Sequence, residues 1–185
     1  MATTRLIPIR GSRGQSVIRS LTERMDYVKN PEKTENGSLV YARGCSPQLA
    51  AAEFALSKRQ YAQCTGRREP GVIAYHIRQS FKPGEITPEE ANLVGRDLAE
   101  RFLKGRHACI VCTHTDKRHI HNHIIFNSTT LDGTAKFRDF LGSGRALGRL
   151  SDLICIEHGL SVIQNPRRYT HSTYDKWLGE KKPAS

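Results

Sequence analysis

The stretch HACIVCTHTDKRHIHNHIIFNSTT, residues 107–130, decides how the rest of the chain is read. It contains two β-prone runs, HACIVCTHTD and HIHNHIIFNSTT, joined by a tight polar turn at Asp116-Lys117-Arg118, the pattern of an antiparallel hairpin. Side chains alternate faces along a strand, so His119, His121 and His123 are expected on one side and Ile120, Ile124 and Phe126 on the other. His114 ends the preceding run, where the turn returns it beside that row. Four of the eight histidines thus fall within ten residues. A solvated polar strand explains them poorly, because the opposite face is apolar. Neutral imidazoles are good ligands for divalent transition metals, and three of them leave positions open for substrate oxygens. Asp116, two residues after His114, is placed to accept an imidazole N–H and also suits the turn itself.

Working outward, the segments around this hairpin alternate between strand and helix patterns. Residues 4–9 (TRLIPI) read as a short strand, and 15–29 (QSVIRSLTERMDYVK) as a helix with Tyr27 near its end. NPEKTENGS is a turn-rich loop and LVYA a strand. Ser46-Pro47 has the form of an N-cap and first helical residue, opening a helix that stops at Gly66. GVIAYHIRQSF (71–81) is a strand, and Thr87-Pro88-Glu89-Glu90 is a capping box that starts a helix reaching about Lys104. ALGRLSDLICIEHG is an amphipathic helix stopped at Gly159, and LSVIQ reads as a last strand. With a hairpin at the chemical centre, the expected class is α+β: a mostly antiparallel central sheet flanked by helices. The expected division is one domain over residues 1–165, followed by a polar tail over 166–185 that begins a linker to a further region.

The chain has 185 residues, and 29 Lys and Arg against 18 Asp and Glu give a formal net charge of +11. Such a surplus favours polyanionic partners, chiefly nucleic acid or anionic lipid. No apolar stretch approaches the ~20 residues of a membrane span, and the N-terminus lacks the apolar core of a secretory signal. The five cysteines (Cys45, Cys64, Cys109, Cys112, Cys155) are odd in number and scattered, which fits a reducing cytoplasm. Cys109 and Cys112 form a CxxC inside an apolar run, where buried strand thiols are the expected state rather than a zinc or redox pair.

The pattern His114-x-Asp116-x-x-x-x-His121-x-His123, followed by Ile-Ile-Phe-Asn127, resembles the third motif of relaxases, within the His-hydrophobe-His superfamily of single-strand endonucleases that also contains rolling-circle replication initiators. Asn122 stands where that motif has a hydrophobe, and the frame His119-Ile120-His121 has one. Spacing from His114 favours His114, His121 and His123 as metal ligands, leaving His119 and Asp116 as catalytic groups beside them. MDYVKNPEKT (25–34) is similar to the first motif of the family, which implies Tyr27 as the nucleophile, with the metal, Lys29 or Lys33 easing attack by a phenol. YHIRQSFKPGE (75–85) is similar to the second motif, which implies Ser80 as a contact to the nicked strand, with His76, Arg78 and Lys82 nearby.

The resemblance is nearest to relaxases of Gram-positive mobile elements, in the class related to the T-DNA border endonuclease. It implies a relaxase/replication-initiator-like nuclease fold and strand-specific nicking at an origin of transfer through a 5′-phosphotyrosine. It also implies a divalent ion, manganese or magnesium, with nickel, cobalt or zinc compatible with the ligands. The implied partners are single-stranded or hairpin origin DNA, an accessory DNA-binding protein and a coupling protein, in a bacterial cytoplasm. Arg5, Arg10, Arg13 and the Arg167-Arg168 pair are further expected strand contacts. Two other readings stay open: a rolling-circle initiator using Tyr169 or Tyr174, and a metal-stabilised DNA-binding module without chemistry.

Overall fold

The two strands that carry the histidines, Cys109–His114 (β4) and His121–Asn127 (β5), are buried along their whole length on both faces. In chain order the other elements are β1 (Thr3–Arg10), α1 (Val17–Lys29), β2 (Val40–Arg43), α2 (Ala50–Thr65), β3 (Val72–Ser80) and α3 (Pro88–Leu103), with α4 (Ser143–Glu157) after the hairpin. The computed structural model describes residues 2–164. The strands form one five-stranded sheet in the order β1-β3-β5-β4-β2, with every neighbouring pair antiparallel. The expected α+β architecture is what forms.

Strand alternation sorts two apolar cores onto the two faces. Tyr75, Ile77, Cys109, Val111, Ile124 and Phe126 pack against α3 and α4 through Leu98, Leu147 and Ile154. Ile110, Cys112 and Ile125 meet Leu21, Met25 and Val28 of α1 and Phe54 of α2 on the other side. Cys109 and Cys112 therefore belong to different cores, so the CxxC cannot close on one ion. Both thiols are pushed up to about 12 by burial, which keeps them protonated.

Local signals set most element ends. The Thr87 hydroxyl accepts from the Glu90 N–H, and the Glu90 carboxylate accepts from the Thr87 N–H, completing the capping box. Gly66 closes α2 in the left-handed conformation at φ 66°.

Two expectations fail. Ser46 does not cap α2, which starts at Ala50 after a turn; the Ser46 N–H donates instead to the Glu53 carboxylate, which fastens the incoming chain to the helix. Residues 160–164 form no strand either. Leu160 and Val162 pack on the core as an irregular strap, and the Ser161 N–H donates to Glu85 at 2.6 Å, so apolar burial is met without strand pairing. The tail from residue 165, with Arg167, Arg168, Tyr169 and Tyr174, lies outside the described residues.

Asn122, where the resemblance has a hydrophobe, is fully buried at 0% exposure on the α3 face. Its amide donates to Gln79 Oε1 at 2.9 Å and to the Ala91 carbonyl at 2.7 Å, and its oxygen accepts from the Thr113 hydroxyl at 2.7 Å. Asn92 donates to the same hydroxyl, and Gln79 donates to Ser151 on α4. This network locks β3, β4 and β5 to α3 and α4 directly behind the histidines. A Cβ at Gly95 would lie 2.6 Å from the Asn122 amide nitrogen, so only glycine lets α3 approach this closely.

A candidate metal centre beside an exposed tyrosine

Register builds the site row by row on the sheet face that meets α1. One row runs Thr3, Ser80, His121, His114, and the next runs Arg5, Arg78, His123, Cys112. Directly paired residues present their side chains on the same face. Ser80 thus stands beside His121, and Arg78 beside His123.

His114, His121 and His123 each offer one nitrogen, and those three atoms lie within 4.8 Å of one another. Two of the rings have their tautomers fixed by carbonyls, which can only accept. His114 Nε2–H donates to the Val28 carbonyl at 2.8 Å, and His121 Nδ1–H donates to the His119 carbonyl at 3.2 Å. Each ring then keeps one nitrogen bearing a lone pair. His123 Nε2 is buried with no hydrogen-bond partner among the described residues. A buried polar nitrogen left bare costs about 1–3 kcal/mol, a loss that an ion in this position would remove. The residues therefore fit a metal ion, and these three could hold one.

The protonation state fits as well. Burial lowers the basicity of all three rings; Lys33 and Lys117 add to it at His114, and neighbouring imidazoles at His121 and His123, which fall to about 4 and about 2. Neutral rings with free lone pairs are what a metal requires.

Tyr27 sits in the last turn of α1 and is 54% exposed, on the face away from the core residues Leu21, Met25 and Val28 of that helix. Its ring lies 6.1 Å from that of His114 and 6.2 Å from that of His123. Lys33 holds its ammonium 4.2 Å from the Tyr27 ring centroid and 3.7 Å from the Asp116 carboxylate. Tyr27, His76, His121 and His123 line a pocket of about 270 Å³ with Arg10, Arg24, Arg78 and Lys117 on its walls. Four cations and two of the three histidines thus surround one phenol, an arrangement suited to an anionic ligand.

The sequence-predicted residues do not all reach this pocket. Arg5 is exposed next to Arg78, and Arg13 is exposed on the loop between β1 and α1. Lys82 is exposed in the turn after β3. Lys29 donates to the Pro47 carbonyl at 2.9 Å and pairs with Asp26, in a separate groove. Asp116 pairs with Lys33, while the Val28 carbonyl takes the His114 N–H that Asp116 was expected to receive. His119 precedes β5 rather than lying in it, because the strand begins at His121. It stays close, its ring 5.2 Å from that of His121.

Arg24 and Lys117 were missed by sequence reasoning. Arg24 is three residues before Tyr27 on the same helix, so the two share a face, and Lys117 is at the hairpin turn. His76 was foreseen only as a strand contact. Its Nε2 lies 2.8 Å from His123 Nδ1, and burial with the flanking Arg78 and Arg24 pushes it down to about 4.

The chain is similar to several known proteins. The chain is 34% identical over 157 residues to the protein named rlx of Staphylococcus aureus, covering 83% of this chain and 46% of that protein. It is 30% identical over 191 residues to the group II intron-interrupted relaxase LtrB of Lactococcus lactis subsp. cremoris, covering 85% of this chain and 34% of that protein. The chain thus spans less than half the length of either relative. A solved structure described under the molecular basis of vancomycin resistance transfer in Staphylococcus aureus shares the fold. Its TM-score is 0.54 at 13% identity, over 91% of this chain and 100% of that one. Residues 27–160 match the relaxase family described as MobA/VirD2-like, nuclease domain, a span running from the tyrosine helix through the histidine hairpin to the end of α4. By that match, the chain belongs to the MobA/VirD2-like relaxase family of nuclease domains.

Proposed function

We propose that this chain nicks one strand of DNA at an origin of transfer by transesterification, with Tyr27 as the nucleophile and a divalent ion on His114, His121 and His123. The observation that carries the reading is the exposed Tyr27 ring about 6 Å from two of the three histidines, at the edge of the arginine-lined pocket.

In this mechanism the phenol oxygen attacks the scissile phosphorus in line. The bond from phosphorus to the 3′ oxygen breaks, that oxygen leaves as a 3′-hydroxyl, and the 5′ phosphate stays on Tyr27 as a phosphodiester. One ester replaces another, so no water is consumed and the strand can be rejoined without ATP. When bound, the ion would supply Lewis-acid charge to the non-bridging oxygens. Manganese or magnesium is the proposed ion, and the imidazole set also accommodates zinc, cobalt or nickel. Arg24, Arg78 and Lys117 hold the flanking phosphates, and Ser80 offers a hydroxyl beside His121. Lys33 sets the Tyr27 ring and places a positive charge against it. The substrate is single-stranded or extruded hairpin DNA, because in-line attack needs a backbone that can be drawn into a pocket of this size. Accessory and coupling proteins belong to the transfer process in which such a nick serves.

The test is incubation of the protein with an end-labelled single-stranded origin oligonucleotide, with manganese or with chelator. A covalent protein–DNA band that requires manganese and vanishes in Tyr27→Phe is expected. Metal-independent cleavage, or an undiminished adduct in Tyr27→Phe, contradicts the reading; the latter directs attention to Tyr169 and Tyr174.

A further inference from the structure

The three histidines differ in what holds them. Backbone carbonyls fix the proton positions of His114 and His121. Among the described residues, no carbonyl holds His123. Its Nδ1 meets another imidazole, His76 Nε2, at 2.8 Å, with ring centroids 5.0 Å apart. Two ring nitrogens at that distance share one proton, and either can carry it.

The two arrangements have opposite consequences. If His76 Nε2–H donates, His123 Nδ1 is the acceptor, and the single proton of neutral His123 must sit on Nε2. That is the buried nitrogen with no partner, and a proton there blocks coordination. If His123 Nδ1–H donates, His76 Nε2 accepts, and His123 Nε2 presents a lone pair beside the other two rings. The second arrangement alone yields three ligands.

We propose that His76 is a positioning residue of the metal centre: it accepts the His123 Nδ1–H, and so holds His123 in the one tautomer able to ligate. This rests on reading His114, His121 and His123 as the metal ligands. The fold supports it, because β3 lies directly against β5 and the Ile125–His76 pairing places His76 on the His123 face of the sheet. His76 also lines the basic pocket, so one imidazole touches both the ligand and the substrate space. The acceptors behind the three ligands are then all uncharged: Val28 O, His119 O and His76 Nε2. Asp116 is occupied by Lys33. Among the described residues, no carboxylate accepts a hydrogen bond from any of the three rings. Partners in this position typically change metal affinity by about 10–100-fold.

The experiment is calorimetric titration of manganese into the intact protein without DNA, for wild type, His76→Ala, His76→Gln, His114→Ala and His123→Ala. His76→Ala should bind about 10–100-fold more weakly. His76→Gln, whose side-chain carbonyl restores an acceptor, should recover most of the loss. Long-range proton–nitrogen spectra of the zinc-loaded wild type should show His123 protonated on Nδ1 and His76 bearing its proton on Nδ1. Wild-type affinity in His76→Ala, no rescue by Gln, or a zinc-loaded His76 protonated on Nε2 overturns the proposal. If His114→Ala and His123→Ala bind manganese as tightly as wild type, it is the metal-ligand reading itself that fails.

Discussion

His114 Nε2–H donates to the carbonyl of Val28 at 2.8 Å, and Val28 is the residue that follows Tyr27. One histidine of the triad is thereby tied through a single hydrogen bond to the helical turn that carries the phenol. A second strap runs alongside, where the Thr115 N–H donates to the Lys33 carbonyl at 3.0 Å. Two hydrogen bonds to backbone carbonyls thus tie the end of α1 and the turn after it to the end of β4, beside Tyr27 and the triad.

Metal binding should accordingly stabilise the whole domain. A ligand at a hundredfold excess over its dissociation constant adds about 2.7 kcal/mol by linkage. A thermal melt with and without manganese is the check. A clear rise in Tm is expected for wild type, and no rise for His123→Ala. An equal rise in both would place the ion elsewhere.

Lys33 bridges the Tyr27 ring and the Asp116 carboxylate. A cation over an exposed ring contributes about 0.5–1 kcal/mol, which is about two- to fivefold in a rate. Lys33→Met should slow single-turnover nicking by roughly that factor, while Lys33→Arg should retain most of the rate. An unchanged rate in Lys33→Met would show that the ammonium does nothing to the nucleophile.

Asn122 is the buried hub behind the triad, and its amide meets the helix at Gly95. Asn122→Leu strands Gln79, Thr113 and the Ala91 carbonyl, and should cost about 3 kcal/mol in urea denaturation. Gly95→Ala should also destabilise, because a short, fully bonded amide cannot give way by the needed distance. Near-wild-type stability for both would mean that the network is ornamental.

Lys58 is fully buried on α2, bonded to Asn127 at the far end of β5, and burial brings its pKa down from 10.5 to about 7. Between those values the unfolded chain binds a proton that the folded chain lacks. The penalty from Lys58 is therefore full at and below the folded value, and fades as pH rises toward the unfolded one, by about 1.4 kcal/mol per pH unit. Comparison of wild type with Lys58→Met by chemical denaturation should show the wild type gaining on the variant as pH rises from about 7.5 to about 9.5. A difference that is flat in pH would mean that Lys58 is charged in the folded protein.

The sequence revealed most where local chemistry is self-sufficient. The hairpin, the Thr87 capping box and the Gly66 stop depend on residues close together in the chain, and each forms as expected. What was hidden depends on register or on backbone atoms. The partners of His114 and His121 are carbonyls, which leave no mark in a sequence. His76 reaches His123 only because β3 inserts beside β5, an order that spacing along the chain does not disclose. Lys29 and Lys33 looked equivalent, but the turn after α1 brings Lys33 onto the Tyr27 ring while Lys29 reaches the Pro47 carbonyl. LSVIQ had the residues of a strand but found its burial as a strap on the core.

The central claim is that Tyr27 carries the DNA. Its most direct test is mass spectrometric mapping of the peptide that holds the nucleotide after reaction with manganese and origin oligonucleotide. A phosphodiester on the Tyr27 phenol, bearing the 5′ end of the released strand, is the expected result. A nucleotide on any other residue, or cleaved DNA with both ends free, would contradict it.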